Sequence, residues 1–220
     1  MEKIYYQEKD ENSMSEFAKF YSKLEKYDCP DYYSIIKNDV LIFEHFEFDS
    51  SNHKRKGSTY RKKLASIEAD KDLGVKHFEL PSTLTSKNYV NNLTRSFEEH
   101  YKKIELYKKN IAKIAKSDGD INFKVCFFIQ DVTPLGNYSN DNNKPLTIFD
   151  CKQFLDLFEN SPDLDWVLFY NKEIGYEEIT WFLSRDSLSE YRKNELDFNK
   201  VHFINRSPQC IQARIMIDKK

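Results

Sequence analysis

Two acidic side chains lie in an apolar stretch of the chain, where carboxylates are uncommon. Asp31 precedes the apolar run Tyr32–Ile36, and Glu44 lies inside a second apolar run, Val40–Phe48. The turn-forming residues Lys37–Asp39 separate the two runs, so the stretch predicts a β-hairpin. A carboxylate among large apolar side chains is unfavourable unless it is paired, metal-bound or at a strand edge. Glu44 is therefore the first candidate for a functional residue.

An acidic residue at the start of one strand and a second in its hairpin partner are typical of a divalent-metal site. Mg²⁺ binds oxygen ligands, usually one or two carboxylates together with water and substrate phosphate. Asp31 and Glu44 are therefore candidate ligands for Mg²⁺ or Mn²⁺. His45, Glu47 and Asp49 alternate along the second strand and share the face opposite Glu44. That trio is either a second candidate metal site or the solvent-facing side of the strand.

The hairpin resembles the sequence motif of the PD-(D/E)XK nuclease superfamily. Pro30 and Asp31 match the PD of that motif. The run I-F-E-H-F at residues 42–46 is similar to a variant found in nuclease domains attached to some helicases, which is roughly I-E-H-F-G-I-D. Asp49 matches the final Asp of the variant. The resemblance covers residues 30–49 and implies a metal-dependent nuclease in which Asp31 and Glu44 hold the metal.

The chain departs from this motif at two positions. The usual Lys, two residues after the acidic residue, is replaced by Phe46, and the glycine of the variant is replaced by Glu47. In the helicase-attached variant a following helix supplies the Lys instead. The resemblance therefore implies a catalytic Lys from the next segment, where the candidates are Lys56, Lys62 and Lys63.

A ten-residue segment after the hairpin, residues 54–63, carries six positive charges. They are Lys54, Arg55, Lys56, Arg61, Lys62 and Lys63. A basic loop beside a carboxylate pair suits a phosphate backbone held over a metal, and a solvated surface loop is the alternative. On the first interpretation the candidate contacts to nucleic acid are Lys54, Arg55, Lys56 and Arg61.

The rest of the chain alternates helical and strand patterns, which is typical of an α/β fold. The patterns predict helices from Ser13 or Ser15 to about Tyr27 and over Tyr60–Asp70, Asn88–Lys116 and Cys151–Glu159, and strands over Phe123–Ile129, Asp163–Tyr170 and Glu178–Ser184. The continuous apolar run at Phe123–Ile129 is expected for a strand covered on both faces. We expect a central mixed sheet flanked by helices, with a C-terminal α/β extension, and the resemblance implies a restriction-endonuclease-like core.

The predicted helix Asn88–Lys116 carries an apolar stripe along its whole length. The stripe comprises Val90, Leu93, Phe97, Tyr101, Ile104, Lys108 and Ile111, with Lys108 as its only break. Such a helix packs on a sheet or on a second copy of itself. His100, between Glu99 and the stripe residue Tyr101, is expected to be an exposed helix residue. Asp131, at the end of a buried strand, either forms a turn or joins the acidic cluster.

The composition is that of a folded globular protein. The 220 residues are 40% hydrophobic and 15% aromatic, which is enough to bury a single core, and the net charge of −2 gives no general attraction to nucleic acid. The four cysteines are far apart and are expected to be reduced, buried thiols. No apolar run is long enough to span a membrane, so we expect a cytoplasmic protein. We expect one domain, with residues 137–144 as the only candidate divider.

Three hypotheses of function remain open at this point. The first is a metal-dependent nuclease that hydrolyses phosphodiester bonds in DNA. The second is a protein of the same fold without catalysis, which serves as a binding or assembly module in a mobile element or defence system. A homodimer is one form that such a module takes. The third is an unrelated α/β protein. The abundance of Lys, Asn, Ile, Tyr and Phe, which have A/T-rich codons, suggests a low-GC bacterium or its phage.

Overall fold

The structure is a computed structural model of the 220-residue chain. It describes residues 4–48, 77–79, 86–115, 120–132, 138–139, 146–171, 179–200, 204–205 and 212–214. The predicted helix Tyr60–Asp70, the six basic residues at 54–63, Asp49 and Cys210 lie outside these segments. So does most of the candidate divider at 137–144.

Five α-helices and eleven strands are present in the described segments. The helices are α1 (Glu11–Tyr21), α2 (Ser86–Tyr101), α3 (Ile104–Ala115), α4 (Lys152–Glu159) and α5 (Leu188–Arg192). The strands are β1 (Ile4–Tyr5), β2 (Glu25–Lys26), β3 (Tyr32–Ile36), β4 (Asp39–Phe48), β5 (His77–Glu79), β6 (Asn122–Asp131), β7 (Tyr138–Ser139), β8 (Trp166–Asn171), β9 (Ile179–Ser184), β10 (Ile204–Asn205) and β11 (Gln212–Arg214).

Seven strands form one mixed sheet in the order β1-β9-β8-β6-β4-β3-β2. Strands β4, β6 and β8 are parallel at its centre, whereas β3 is antiparallel to β4 and β9 is antiparallel to β8. Two smaller antiparallel pairs, β5 with β11 and β7 with β10, stand outside this sheet. The expected central mixed sheet flanked by helices is confirmed, and β8 and β9, which follow β6 in the chain, extend the same sheet.

The predicted hairpin is confirmed as β3 and β4. Ile36 pairs with Asp39, so the turn between the strands consists of Lys37 and Asn38 alone. Lys37 has a φ of 60°, a left-handed conformation that costs a non-glycine residue about 1–2 kcal/mol. The Asn38 carbonyl accepts a hydrogen bond of 2.9 Å from the Asn122 backbone N–H, which joins the turn to the start of β6.

Helices α2, α3 and α4 cover one face of the sheet, and their apolar side chains form the larger core with alternate residues of β4 and β6. The residues of β4 on this face are Val40, Ile42, Glu44, Phe46 and Phe48, and Glu44 is the only charged residue among them. The expectation that the apolar stripe packs on a sheet is confirmed for both α2 and α3.

Helix α1 covers the opposite face. Phe17 and Phe20 of α1 pack against Leu41 and Phe43 of β4 and against Trp166 of β8, and these residues are all buried. Every strand at the centre of the sheet is therefore covered on both sides, which explains the continuous apolar run in β6. The molecule has three layers, helix on sheet on helix.

The predicted single helix Asn88–Lys116 is wrong, because the segment forms two helices. Helix α2 ends at Tyr101 and α3 begins at Ile104. At the break, the Lys103 backbone N–H donates to the His100 carbonyl at 3.0 Å, a tighter turn than an α-helix makes. Neither Pro nor Gly lies at this point, so the sequence carried no signal for the break. Helix α1 also ends earlier than predicted, and β2 follows it.

None of the helices in the described segments is both long enough and apolar enough to cross a membrane. The longest, α2, has 16 residues. A membrane-spanning helix needs about 20 predominantly apolar residues. Helices α1, α2, α3 and α4 instead bury one apolar side each in the two cores that cover the sheet.

Phe17→Ala is expected to lower the free energy of unfolding by about 3–5 kcal/mol, because it leaves a cavity between α1 and the sheet. The Phe17 side chain is fully buried, and its ring contacts those of Phe43, Trp166 and Phe182. Urea unfolding followed by circular dichroism measures the change. The control is Leu106→Ala, at a residue 49% exposed on α3, which should change stability by less than about 0.5 kcal/mol. Equal stability of the two variants would contradict this packing.

Candidate active site

Asp31 and Glu44 lie opposite each other across the β3–β4 hairpin. Tyr32 pairs with Phe43 in the antiparallel register, so the residue before Tyr32 lies opposite Glu44. The Asp31 backbone N–H donates to Glu44 Oε2 at 3.3 Å, and Asp31 Oδ2 accepts a hydrogen bond of 2.8 Å from the His45 backbone N–H. Asp31 is thus attached to β4 at two points, and the fold brings the two predicted metal ligands together.

Two helices provide hydrogen-bond donors to the buried Glu44 carboxylate. Glu44 is 6% exposed and lies between Ile42 and Phe46 on the face of β4 that α2, α3 and α4 cover. The Tyr107 hydroxyl of α3 donates to Glu44 Oε1 at 2.5 Å. His100 Nδ1, in the last turn of α2, lies 2.7 Å from the same oxygen. These contacts explain how a carboxylate is tolerated among apolar side chains.

The contacts determine which groups carry protons. Burial alone raises the pKa of the Glu44 carboxyl, but hydrogen bonds from His100 and Tyr107 outweigh burial, so the pKa lies below its ordinary value of 4.5. An ionised carboxylate only accepts hydrogen bonds, so His100 Nδ1 carries a proton in this contact. Burial, followed by the hydrogen bond to Glu44, raises the pKa of the Tyr107 hydroxyl well above its ordinary value. Tyr107 therefore remains a donor.

The His100 ring stacks on Phe46, the residue at the position of the motif's usual Lys. The two ring centroids are 4.4 Å apart and the rings are within 9° of parallel. The His100 side chain is 21% exposed, so the expectation of an exposed helix residue is wrong. The cause is tertiary, because α2 packs on β4 and its last turn ends beside Glu44. An aromatic pair thus occupies the space next to Glu44 along the strand.

His45 and Glu47 lie on the opposite face of β4, as their alternation with Glu44 predicts. His45 Nε2 is 3.2 Å from Gln130 Oε1 of β6, and the His45 ring stacks on Phe128 at 5.0 Å. His45 therefore contacts Asp31 through its backbone and β6 through its side chain. The His45 side chain does not join the cluster formed by Glu44 and the two helices.

The loop before Asp31 is held against α3. The Asn110 side-chain amide donates to the Cys29 carbonyl at 3.0 Å, and the Tyr27 backbone N–H donates to the Asp31 carbonyl at 2.7 Å. Burial, and then the negative charge of Glu44, raise the pKa of the Cys29 thiol. Cys29 is therefore a weak nucleophile at neutral pH, and its segment serves to place Asp31.

The two carboxylates retain one oxygen each for an external ligand. Two side-chain donors occupy Glu44 Oε1, whereas Oε2 has only the 3.3 Å contact with the Asp31 N–H. Asp31 Oδ2 accepts from His45, whereas Oδ1 accepts no hydrogen bond within the described segments. In those segments no group of three or more His, Cys, Asp or Glu side chains is arranged to hold a metal. A pair of carboxylates still suits Mg²⁺ or Mn²⁺, since Mg²⁺ usually keeps several waters.

The other predicted site residues have different outcomes. The candidate catalytic residues Lys56, Lys62 and Lys63, the remaining basic candidates of segment 54–63, and Asp49 lie outside the described residues. Asp131 is the last residue of β6 and is fully buried. Residues 133–137, which follow it, lie outside the described residues, so both expected roles of Asp131 stay predictions. Burial and the negative charge of Asp131 raise the pKa of Tyr89 well above its ordinary value.

The sequence interpretation missed both helix donors to Glu44. The predicted apolar stripe continues from Ile104 to Lys108. In the structure Tyr107 is buried instead, and it fits the same stripe at a spacing of three residues from Ile104. Lys108 lies beside the stripe and pairs with Glu105 and Asp163, at 2.9 and 2.7 Å. A tyrosine in an apolar stripe, with a buried Glu on the strand that the stripe covers, was the available signal.

Comparisons of the chain with protein-family models, with curated proteins and with solved structures gave no match. The membership of residues 30–49 in the PD-(D/E)XK superfamily therefore stays a prediction. The contacts around Asp31 and Glu44 are the basis on which a function can be assigned.

Tyr107→Phe is expected to lower the free energy of unfolding by about 1–3 kcal/mol, because Glu44 loses a donor in a buried position. The matched control is Tyr101→Phe on α2, whose hydroxyl donates to Asp163 Oδ2 at 3.3 Å in an exposed position. The control should change stability by less than about 0.5 kcal/mol. Urea unfolding at neutral pH measures both. Equal losses of unfolding free energy in the two variants would show that the contact with Glu44 stabilises the fold no more than an exposed hydrogen bond does.

The lowered pKa of Glu44 predicts a loss of stability in acid. A group whose folded-state pKa is depressed stabilises the fold above its unfolded pKa, near 4.5 here, and that contribution is lost as pH falls through the folded pKa. The difference in free energy of unfolding between the wild type and Glu44→Gln should therefore narrow as pH falls below about 4.5. Urea unfolding at a series of pH values tests this. Glu105→Gln, at an exposed residue of α3, should run parallel to the wild type.

Proposed function

We propose that this chain is a metal-dependent nuclease that hydrolyses phosphodiester bonds in DNA. The observation that carries the proposal is the convergence of Asp31 and Glu44 across the hairpin, with hydrogen bonds of 3.3 and 2.8 Å linking Asp31 to β4. A pair of carboxylates is the ligand set that Mg²⁺ and Mn²⁺ commonly bind, together with water.

The order of elements also supports the proposal. Helix α1 precedes the acidic hairpin, as it does in the nuclease core that the sequence motif implies. In the described segments α2 and α3 follow the hairpin, and β6 then lies parallel to β4. The polar ends of β4 and β6 meet at the same edge of the sheet, where parallel α/β sheets place their sites.

The site residues would act mainly by binding and positioning. Asp31 and Glu44 would hold a divalent cation through the oxygens that the protein leaves available. Such a cation polarises a phosphoryl oxygen and lowers the pKa of a bound water. The Phe46–His100 ring pair would keep bulk water away from one side of Glu44, which strengthens the local electrostatic interactions.

The basic segment 54–63 would supply the contacts to the phosphate backbone. In the sequence, residues 49–53 separate this segment from the end of β4, the strand that carries Glu44. Lys54, Arg55, Lys56 and Arg61 would neutralise phosphates, which positions a duplex without reading its sequence. One of Lys56, Lys62 and Lys63 would stabilise the charge that develops on the phosphoryl group.

A second candidate function is a non-catalytic binding or assembly module of the same fold, in a mobile element or defence system. One observation favours it: the position of the motif's Lys is Phe46, whose ring is covered by His100. On this hypothesis the Glu44 network is a stabilising remnant of an active site. A partner or a homodimer would then account for selection of the fold.

Cleavage assays on single- and double-stranded DNA with Mg²⁺ or Mn²⁺ test the first proposal. We expect cleavage by the wild type that is abolished by a chelator, and losses of at least about 100-fold in Glu44→Ala and in Asp31→Asn. Glu105→Ala, which removes a carboxylate from an exposed position on α3, should cleave like the wild type. Absence of cleavage in every metal tested would favour the non-catalytic module.

Single Ala variants of Lys56, Lys62 and Lys63 identify the catalytic Lys. One of the three should lower the cleavage rate by about 10²–10³-fold, as expected for loss of a group that stabilises transition-state charge. The same variant should bind Mn²⁺ like the wild type, since a Lys is not a metal ligand. Equal, small effects in all three would assign these residues to phosphate binding only.

A further inference from the structure

The two oxygens of the Glu44 carboxylate have different environments. Oε1 receives the Tyr107 hydroxyl at 2.5 Å and His100 Nδ1 at 2.7 Å. Oε2 faces Asp31, whose backbone N–H lies 3.3 Å away. The side-chain donors are thus concentrated on Oε1, and Oε2 is left with a single long contact, from the backbone N–H of Asp31.

Both donors on Oε1 are themselves fixed by packing. The Tyr107 side chain is 1% exposed in the core formed by α2, α3 and the sheet. The His100 ring is held parallel to Phe46 at 4.4 Å. Neither donor can follow Glu44 into another rotamer without disturbing the core, so together they fix the direction in which Oε2 points. Contacts of this kind orient a metal-binding carboxylate and are typical of metal sites in proteins.

We propose that Tyr107 and His100 are positioning residues that hold Glu44 Oε1 so that Oε2, together with Asp31, faces a divalent cation. This inference rests on the proposed function, since it assigns a role to residues around the same carboxylate pair. It adds two residues that the motif does not contain. It also assigns different tasks to the two oxygens of Glu44, one toward the protein and one toward the cation.

A purely structural role predicts a different result. If Tyr107 and His100 only compensate the burial of Glu44, their loss lowers stability and leaves cation affinity of the folded protein unchanged. If they position Glu44, their loss weakens cation binding in protein that remains folded. Mn²⁺ affinity measured well below the unfolding transition therefore separates the two roles.

The experiment is calorimetric titration of the full chain with Mn²⁺ alone, in four variants and the wild type. Tyr107→Phe and His100→Ala should weaken Mn²⁺ binding by about 10–100-fold, as loss of an outer partner of a ligand does. Tyr101→Phe is the control for the hydroxyl, since Tyr101 contacts Asp163 instead. His100→Asn keeps an N–H donor near the position of Nδ1 and should restore much of the affinity lost in His100→Ala.

Cleavage at increasing Mn²⁺ gives a second readout. In Tyr107→Phe the Mn²⁺ concentration for half-maximal cleavage should rise by the same factor as the dissociation constant, while the rate at saturating Mn²⁺ changes less. The inference is overturned if Tyr107→Phe and His100→Ala bind Mn²⁺ like Tyr101→Phe, or if the wild type binds no Mn²⁺. If the wild type binds Mn²⁺, the variants bind it weakly and none cleaves DNA, the positioning role stands and the nuclease proposal fails.

Discussion

The Glu44 carboxylate lies on the face of the central strand β4 that α2, α3 and α4 cover. Every other residue of β4 on that face is apolar. Leaving an ionised carboxylate there without partners would cost several kcal/mol. Three donors remove that cost: the Tyr107 hydroxyl, the His100 imidazole and the Asp31 backbone N–H. The donors come from α3, from α2 and from the residue that precedes β3. The position of Glu44 therefore constrains how these three parts of the chain pack around β4.

The division of one long amphipathic segment into α2 and α3 is part of the same arrangement. His100 belongs to the last turn of α2, and Tyr107 belongs to the first part of α3. The break at residues 102–103 lies between them, and both side chains reach the same carboxylate oxygen. Each helix keeps its apolar side on the sheet, so the break loses little buried surface while it brings two donors to Glu44.

Asp31 links the two faces of the hairpin. Its backbone N–H contacts Glu44 on the face of α2 and α3, and its carboxylate accepts from the backbone of His45, whose side chain lies on the other face against Phe128 and Gln130. The Asp31 carboxylate is therefore held beside the backbone of β4, between Glu44 on one face of the strand and His45 on the other. A ligand bound by Asp31 and Glu44 would lie at the start of β3, beside the Cys29 segment that Asn110 fixes to α3.

The features that depend only on neighbouring residues could be predicted from the sequence. Alternation and turn residues defined the β3–β4 hairpin, the continuous apolar run defined β6, and an acidic residue in an apolar strand identified Glu44. What those features contact could not be predicted, because it depends on how distant segments pack together. The sequence predicts His100 only as a polar, exposed residue of a helix. The packing of α2 on β4 places its side chain beside Glu44. The burial of Tyr107 instead of Lys108, and the break in the helix after Tyr101, have the same cause. Both depend on which side chains pack against the sheet, and not on local helix propensity.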